Sequence, residues 1–428
     1  MTNPKVMETL AQTMLAQDVH LYYGRPTQTL IRRINAINRM KPGKGGPYNE
    51  IKYPPNVFFT LDDNYDVVHP FNESFMYNGH KLPDGTPILP GDEVKCQLTD
   101  GTIVTLWKEG ALYGAEKFDA ERNRQDIGQM NKILGQDVSG CYFTTDRLSD
   151  YYRGIGFKNV YTYPNSIYFP DYEQLKDFEM VRKDKTRIKV LWQGGSSHYE
   201  DWYAIREALK ETVERFPEVD WLIWGTKFNW IHDVIPPERC TFLPWQPYEA
   251  YKLMLQTIDF DFMVAPLSRN LFNDGKSAIK FYEPAALGNP KPTLAAAVPP
   301  YSDEMIHDET GLLYQNPKDF VEQFGRMVGD AALRKRLAEN AHTWVRENRD
   351  AMKTTVGFYE WLMETREASK QKWGGKNGLS DLLAKAGQSS GNSGDGEGSQ
   401  SEVPGESPSP SVERALEPKS DDVKVGAV

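Results

Sequence analysis

Between Arg187 and Asn348, short apolar runs alternate with stretches of helical periodicity, and this alternation most narrows the folds open to the chain. RIKVLWQ, VDWLIW, TFLP, DFMVAP, PTLAAAV and TGLLY read as strands. Trp202–Phe216, Tyr248–Gln256 and Ser277–Leu287 read as helices, and two more follow to about Asn348. Apolar strands spaced by helices make a parallel sheet covered on both faces. In such sheets ligands bind outside the carboxyl ends of the strands. A chain of 428 residues exceeds one compact unit of this kind, so a second is expected.

The first part is less regular. Thr27–Asn38 looks helical, NVFFTL is a strand that stops at Asp62 and Asp63, and CYFT is a strand followed by a helix from Thr145 to Arg153. NVYTYP is a further strand. GHKLPDGTPILPGDEVKCQLTDGTIVTLW carries three turn signals and reads as a β-hairpin insertion at about 78–110, a flap of two or three strands. The expected organisation is an α/β lobe over 1–175, a hinge over Asn165–Lys183 and a second α/β lobe over 183–348. A C-terminal helix over 349–372 is expected to pack across both lobes, and in the last helices, Ala341–Lys370, Trp344, Phe358, Trp361 and Leu362 read as packing residues rather than ligands. The stretch 374–428 has no aromatic residue and is rich in Gly, Ser, Pro and Glu. It is expected to be a disordered tail, with a short docking helix around Leu379, Leu382 and Leu383 as the other reading.

Charge and cysteine content exclude some classes. Lys and Arg number 50 against 60 Asp and Glu, which argues against coating nucleic acid by charge alone. Cys96, Cys141 and Cys240 are far apart and form no CxxC pair, so a disulfide framework is not expected and a cytoplasmic location is. No apolar run is long enough to span a bilayer, and the N-terminus lacks a signal peptide's apolar region. One local exception to the acidic balance is Arg25–Lys44, where Arg25, Arg32, Arg33, Arg39, Lys41 and Lys44 occur without an acidic residue. It reads as a solvated helix face or as an acceptor-side site for an anionic polymer.

Two clusters carry chemistry. In LWQGGSSHYEDW a strand ends in Gly194-Gly195-Ser196-Ser197 and a helix follows. This is either a tight turn with Ser197 as cap or a phosphate site at a helix N-terminus. In PLSRNLFNDGKSAIKFYEPAALGNP, Lys276, Lys280 and Glu283 fall at helical spacing, so they can share a face toward the cleft. Cations at a helix start are disfavoured unless an anion sits there, and a carboxylate one turn on can accept from a ribose diol. The competing reading is an exposed Lys280–Glu283 pair. Asp259-Phe260-Asp261 opens an apolar strand, and it reads as structural rather than as a metal site.

FNxxKSxxKxxE, followed by a small-residue helix, Gly-Asn-Pro and TGLLY, resembles the C-terminal half of GT-B glycosyltransferases, which have two facing Rossmann-like domains; the resemblance is to the retaining family-4 type. KVLWQGGSSHYEDW, DFDFMVAPL, HDETGLLYQNPKDF, FFTLDDNYDVVHPFN, CYFTTDRLSDYY and VYTYPNSIYFPDY resemble further segments of that family. The likeness covers residues 55–75 and 138–370.

The resemblance implies a GT-B fold and transfer of a sugar from a nucleoside-diphosphate sugar to an acceptor hydroxyl, with retention. Glu283 matches a ribose-binding glutamate. The sugar-holding glutamate found eight residues earlier in the family is Gly275 here, which is a departure. Gly194 and Gly195 match the diphosphate loop, and Ser196 is a further donor-binding candidate. Lys276, Ser277 and Lys280 join the donor site, where the lysines neutralise phosphate in place of the family's usual Arg and Lys. Asp62 and Asp63 can orient the acceptor or the sugar, or cap a turn; His69 is either a donor neighbour or structural. No metal or cofactor is required beyond the nucleotide sugar, and the acceptor is open among glycans, lipid-linked glycans, proteins and modified DNA bases. The rivals are an epimerase or phosphorylase on the same fold and a non-catalytic glycan- or nucleotide-binding protein.

Overall fold

The computed structural model describes residues 19–23, 56–72, 74–97, 103–136, 138–173 and 186–374. Strand β1, Val19–Tyr23, pairs in parallel with β2, Asn56–Leu61. Antiparallel pairs β3/β4 (Glu93–Gln97 with Ile103–Lys108) and β5/β6 (Leu112–Tyr113 with Glu116–Lys117) follow. The insertion is thus a two-stranded hairpin, β3/β4, without a third strand, and β5/β6 is a separate ribbon just beyond it. Helix Ala120–Gln136 leads into β7, Gly140–Phe143, then helix Asp146–Gly154 and β8, Val160–Thr162. The first sheet is all parallel in the order β1-β2-β7-β8. Every residue of β2 and β7 is buried, as expected for strands covered on both faces.

The second sheet holds β9 (Ile188–Gly194), β10 (Val219–Gly225), β11 (Cys240–Leu243), β12 (Phe262–Ala265), β13 (Thr293–Ala296) and β14 (Leu312–Tyr314). Its order is β11-β10-β9-β12-β13-β14, all parallel. The chain builds outward from β9 in one direction and then from β12 in the other. The seam between β9 and β12 is thus a topological switch point, where crossing helices part and leave a crevice.

Two helices differ from their sequence-based bounds. Trp202–Phe216 is split into Tyr199–Tyr203 and Arg206–Arg215, because the Ile205 N–H turns back to Trp202 at i−3 and tightens the chain. The helix expected from Ser277 starts at Ile279, since Ala278 is non-helical and Ser277 Oγ is engaged by Asn165 Nδ2 at 2.7 Å. Strand β1, helix Ala120–Gln136 and the helical turn Leu271–Asp274 were not legible from the sequence pattern.

Helix Ala331–Asn348 packs on Ile279–Ala286 beside the second sheet, with Trp344 against Phe281. After a break at Arg349–Asp350, helix Ala351–Gly374 covers the first sheet instead. Phe358 and Leu362 bury fully against Phe58, Tyr142 and Tyr163, and Phe358 stacks on Tyr163 at 4.2 Å. Each such side chain contributes about 1.5–3 kcal/mol of burial. Arg25, Arg32 and Arg33, the expected helix at Thr27–Asn38 and the tail after Gly374 lie outside the described residues.

Candidate active site

A cavity of about 400 Å³ opens at the carboxyl ends of β9 and β10, lined in part by Gln193, Gly194, Trp245, Tyr251, Lys280 and Glu283. The end of β10 beside it requires glycine: Gly225 has φ +109°, and a Cβ there would come within 2.4 Å of the Gly194 carbonyl. Trp245 and Tyr248 form an aromatic side, and Trp245 is 66% exposed.

Glu283 is buried, one turn into its helix. Its Oε2 accepts from Gln193 Nε2 at 2.8 Å and from the Tyr251 hydroxyl at 2.5 Å. Burial pushes its carboxyl above the usual range, against the opposing pull of the Tyr251 and Gln193 hydrogen bonds and of Lys280. Lys280 is also buried, so the reading of an exposed Lys280–Glu283 pair does not hold. Burial, then the neighbouring charge of Lys276, brings the Lys280 ammonium down to about 8. Lys276 is half-buried, with its ammonium 4.8 Å from the Phe272 ring centre.

Lys280 Nζ lies 3.0 Å from His198 Nε2, and His198 Nδ1 lies 2.7 Å from Asp201 Oδ2. Asp201 Oδ1 in turn accepts from the Ser268 N–H at 2.8 Å and from Asn273 Nδ2 at 3.1 Å. Burial and the lysine charges hold His198 down to about 3. Burial raises the Asp201 carboxyl, but the hydrogen bond to His198 and the nearby charges outweigh it and leave it below the usual value. His198 and Asp201 fall in the HYED stretch, three residues apart on one turn; that spacing was their only sequence signal.

The lobes meet around this crevice. Asp62 and Asp63 stand half-buried at the end of β2, and the Asp63 charge acts on Lys280. Asp62 accepts from the Tyr65 hydroxyl at 3.4 Å. His69 Nε2 pairs with Glu200 of the second lobe at 2.9 Å, and Phe71 stacks on Tyr199. Arg147 clasps Asp303, with Nη2 to Oδ1 at 2.9 Å. Gly195 and Ser196 lie in the turn after β9, and Asn165 Nδ2 donates to Ser277 Oγ. Asp259 and Asp261 sit at the opposite end of the sheet, where they hold Lys189 through its Nζ at 3.0 Å and its N–H at 2.8 Å. Among the described residues, no three His, Cys, Asp or Glu side chains are grouped as metal ligands would be, and no helix is long and apolar enough to cross a membrane.

No protein-family model matches the chain. Among solved structures it is similar to TarM of S. aureus, at 10% identity over 80% of this chain and 54% of that one, with a TM-score of 0.51. It is similar to HepE of Anabaena in complex with UDP, at 11% identity over 83% and 81% of the two chains, TM-score 0.50. It is similar also to a glycosyltransferase from Rickettsia africae, at 10% identity over 85% and 82%, TM-score 0.50. The chain spans about half the length of TarM. At such identities the likeness is one of fold, and the fold is GT-B, with two facing Rossmann-like lobes.

Proposed function

We propose that the protein transfers a sugar from a nucleoside-diphosphate sugar to an acceptor hydroxyl, with retention of configuration. The observation that carries this reading is the buried Glu283 carboxylate set one helical turn beyond the buried Lys280 in the crevice cavity. A carboxylate there accepts two hydrogen bonds from a ribose diol, while Trp245 and Tyr248 offer faces to a base. Lys280 and Lys276 then neutralise the diphosphate as charge grows on it in bond cleavage, in a site where burial strengthens each interaction. HepE was solved with UDP, which makes uridine diphosphate the first nucleotide to test.

The acceptor enters from the first lobe in this reading. Asp62 and Asp63 close the cleft opposite Lys280 and orient the incoming hydroxyl, while the His69–Glu200 and Arg147–Asp303 pairs hold the lobes together and exclude water. Arg25, Arg32 and Arg33 remain candidates for an anionic acceptor. The test is calorimetric titration of nucleoside diphosphates and nucleotide sugars into wild type and Glu283→Ala. Micromolar binding of one donor, reduced at least tenfold in the variant, is expected. A folded wild type that binds none of the panel would refute the donor assignment.

A further inference from the structure

We propose that His198 and Asp201 are positioning residues that fix the Lys280 ammonium in the crevice through a single imidazole tautomer. The geometry stands without a ligand; the consequence for catalysis rests on the nucleotide-sugar reading above. A carboxylate only accepts, so Asp201 Oδ2 at 2.7 Å requires the proton on His198 Nδ1. An ammonium only donates, so Lys280 Nζ at 3.0 Å requires a lone pair on Nε2. One neutral tautomer satisfies both neighbours. The other tautomer, or a protonated ring, would aim an N–H at the ammonium.

The dyad is itself anchored. Ser268 N–H and Asn273 Nδ2 occupy Asp201 Oδ1, and both come from the segment after β12. The His198–Asp201 pair belongs to the segment after β9. The Lys280 position is thereby tied to both strand ends at the switch point. Lys280 is faced by Lys276, Asp201, Glu283 and Asp63 besides His198, and His198 by Lys280, Lys276 and Asp201. An ammonium has three N–H donors; with one directed at His198, two remain for an anion. An imidazole that stays neutral serves as an acceptor without adding a competing charge.

The test begins without any ligand. Long-range proton–nitrogen NMR of the histidine rings should show His198 neutral from pH 5 to 8 with its proton on Nδ1. Asp201→Asn, whose amide faces Nδ1, should move that proton to Nε2. The Lys280 amine signal should titrate at least one unit lower in Asp201→Asn and His198→Phe. It should be unchanged in His198→Gln, whose amide oxygen can still accept. A wild-type ring protonated on Nε2, or a Lys280 midpoint equal in all variants, would overturn the proposal. If the substituted proteins do not fold, the wild-type tautomer alone decides it. UDP binding is then measured on the same samples. Absence of UDP binding with the tautomer and midpoint shifts intact upholds the dyad and counts only against the donor reading.

Discussion

Thr145 Oγ1 donates a 3.0 Å hydrogen bond to the carbonyl of Gly275, so the cap of a first-lobe helix rests on second-lobe backbone. Gly275 lies eight residues before Glu283. A Cβ at this position would approach Leu148 Cδ1 to 3.2 Å and Asn64 Cβ to 3.7 Å. A side chain much longer than a methyl would press on the first lobe here. Gly275→Glu is expected to cost about 1–3 kcal/mol by overcrowding this seam, with a lower Tm, whereas Gly275→Ala costs much less because a Leu148 methyl can give way. Thermal melts of the two variants check this; equal melting of Gly275→Glu and wild type would mean that the seam is open in solution.

Tyr251→Phe removes a donor to the Glu283 carboxylate. That hydrogen bond holds the carboxyl down against burial, so its loss raises the carboxyl further. Since the ionised form is the one that binds a ribose diol, affinity for UDP should weaken as pH falls. The weakening should set in at higher pH in the variant. At neutral pH a loss of about 1 kcal/mol, roughly fivefold, is expected by calorimetry.

Trp245→Ala should lower nucleotide affinity about fivefold or more, since stacking a base on an aromatic face is worth about 1–3 kcal/mol. Because the indole is 66% exposed, Tm should hardly move. A large drop in Tm with unchanged affinity would assign Trp245 to packing.

His198 gives stability an acid limb. The imidazole titrates at an ordinary 6.5 when unfolded and is held down to about 3 when folded, so the unfolded chain binds more protons between these values. Stability is therefore present above pH 6.5 and falls by up to about 1.4 kcal/mol per unit as pH drops toward 3. Urea unfolding at pH 7 and pH 5 should show this loss in wild type and a shallower one in His198→Gln.

Phe358→Ala should destabilise the first lobe by about 3–5 kcal/mol, as expected for a fully buried aromatic. The loss should appear in denaturant unfolding followed at the first lobe.

The second sheet is legible in the sequence because its strands are continuous apolar runs between helices, and a parallel sheet buried on both faces demands that pattern. Glu283 and Lys280 are legible because helical spacing places them on one face, although burial of both cannot be read from spacing. His198 and Asp201 escape notice for a different reason: the partner of His198 lies 82 residues away, and only the sheet brings them together. Tyr251 and Gln193 likewise meet Glu283 across 32 and 90 residues. The split at Ala204–Ile205 depends on one backbone turn that periodicity does not register.

The last helix has a consequence in time. Phe58 and Tyr142 belong to strands made early, but the residues that cover them, Phe358 and Leu362, are made late. A ribosome must deliver the whole second sheet before the first can be sealed. Until then one aromatic face of the first lobe is bare. During synthesis the later half can finish folding while the earlier half waits for its cover. A chain ended at Asn348 and free of the ribosome should therefore protect the second sheet from protease while leaving the first open to cleavage.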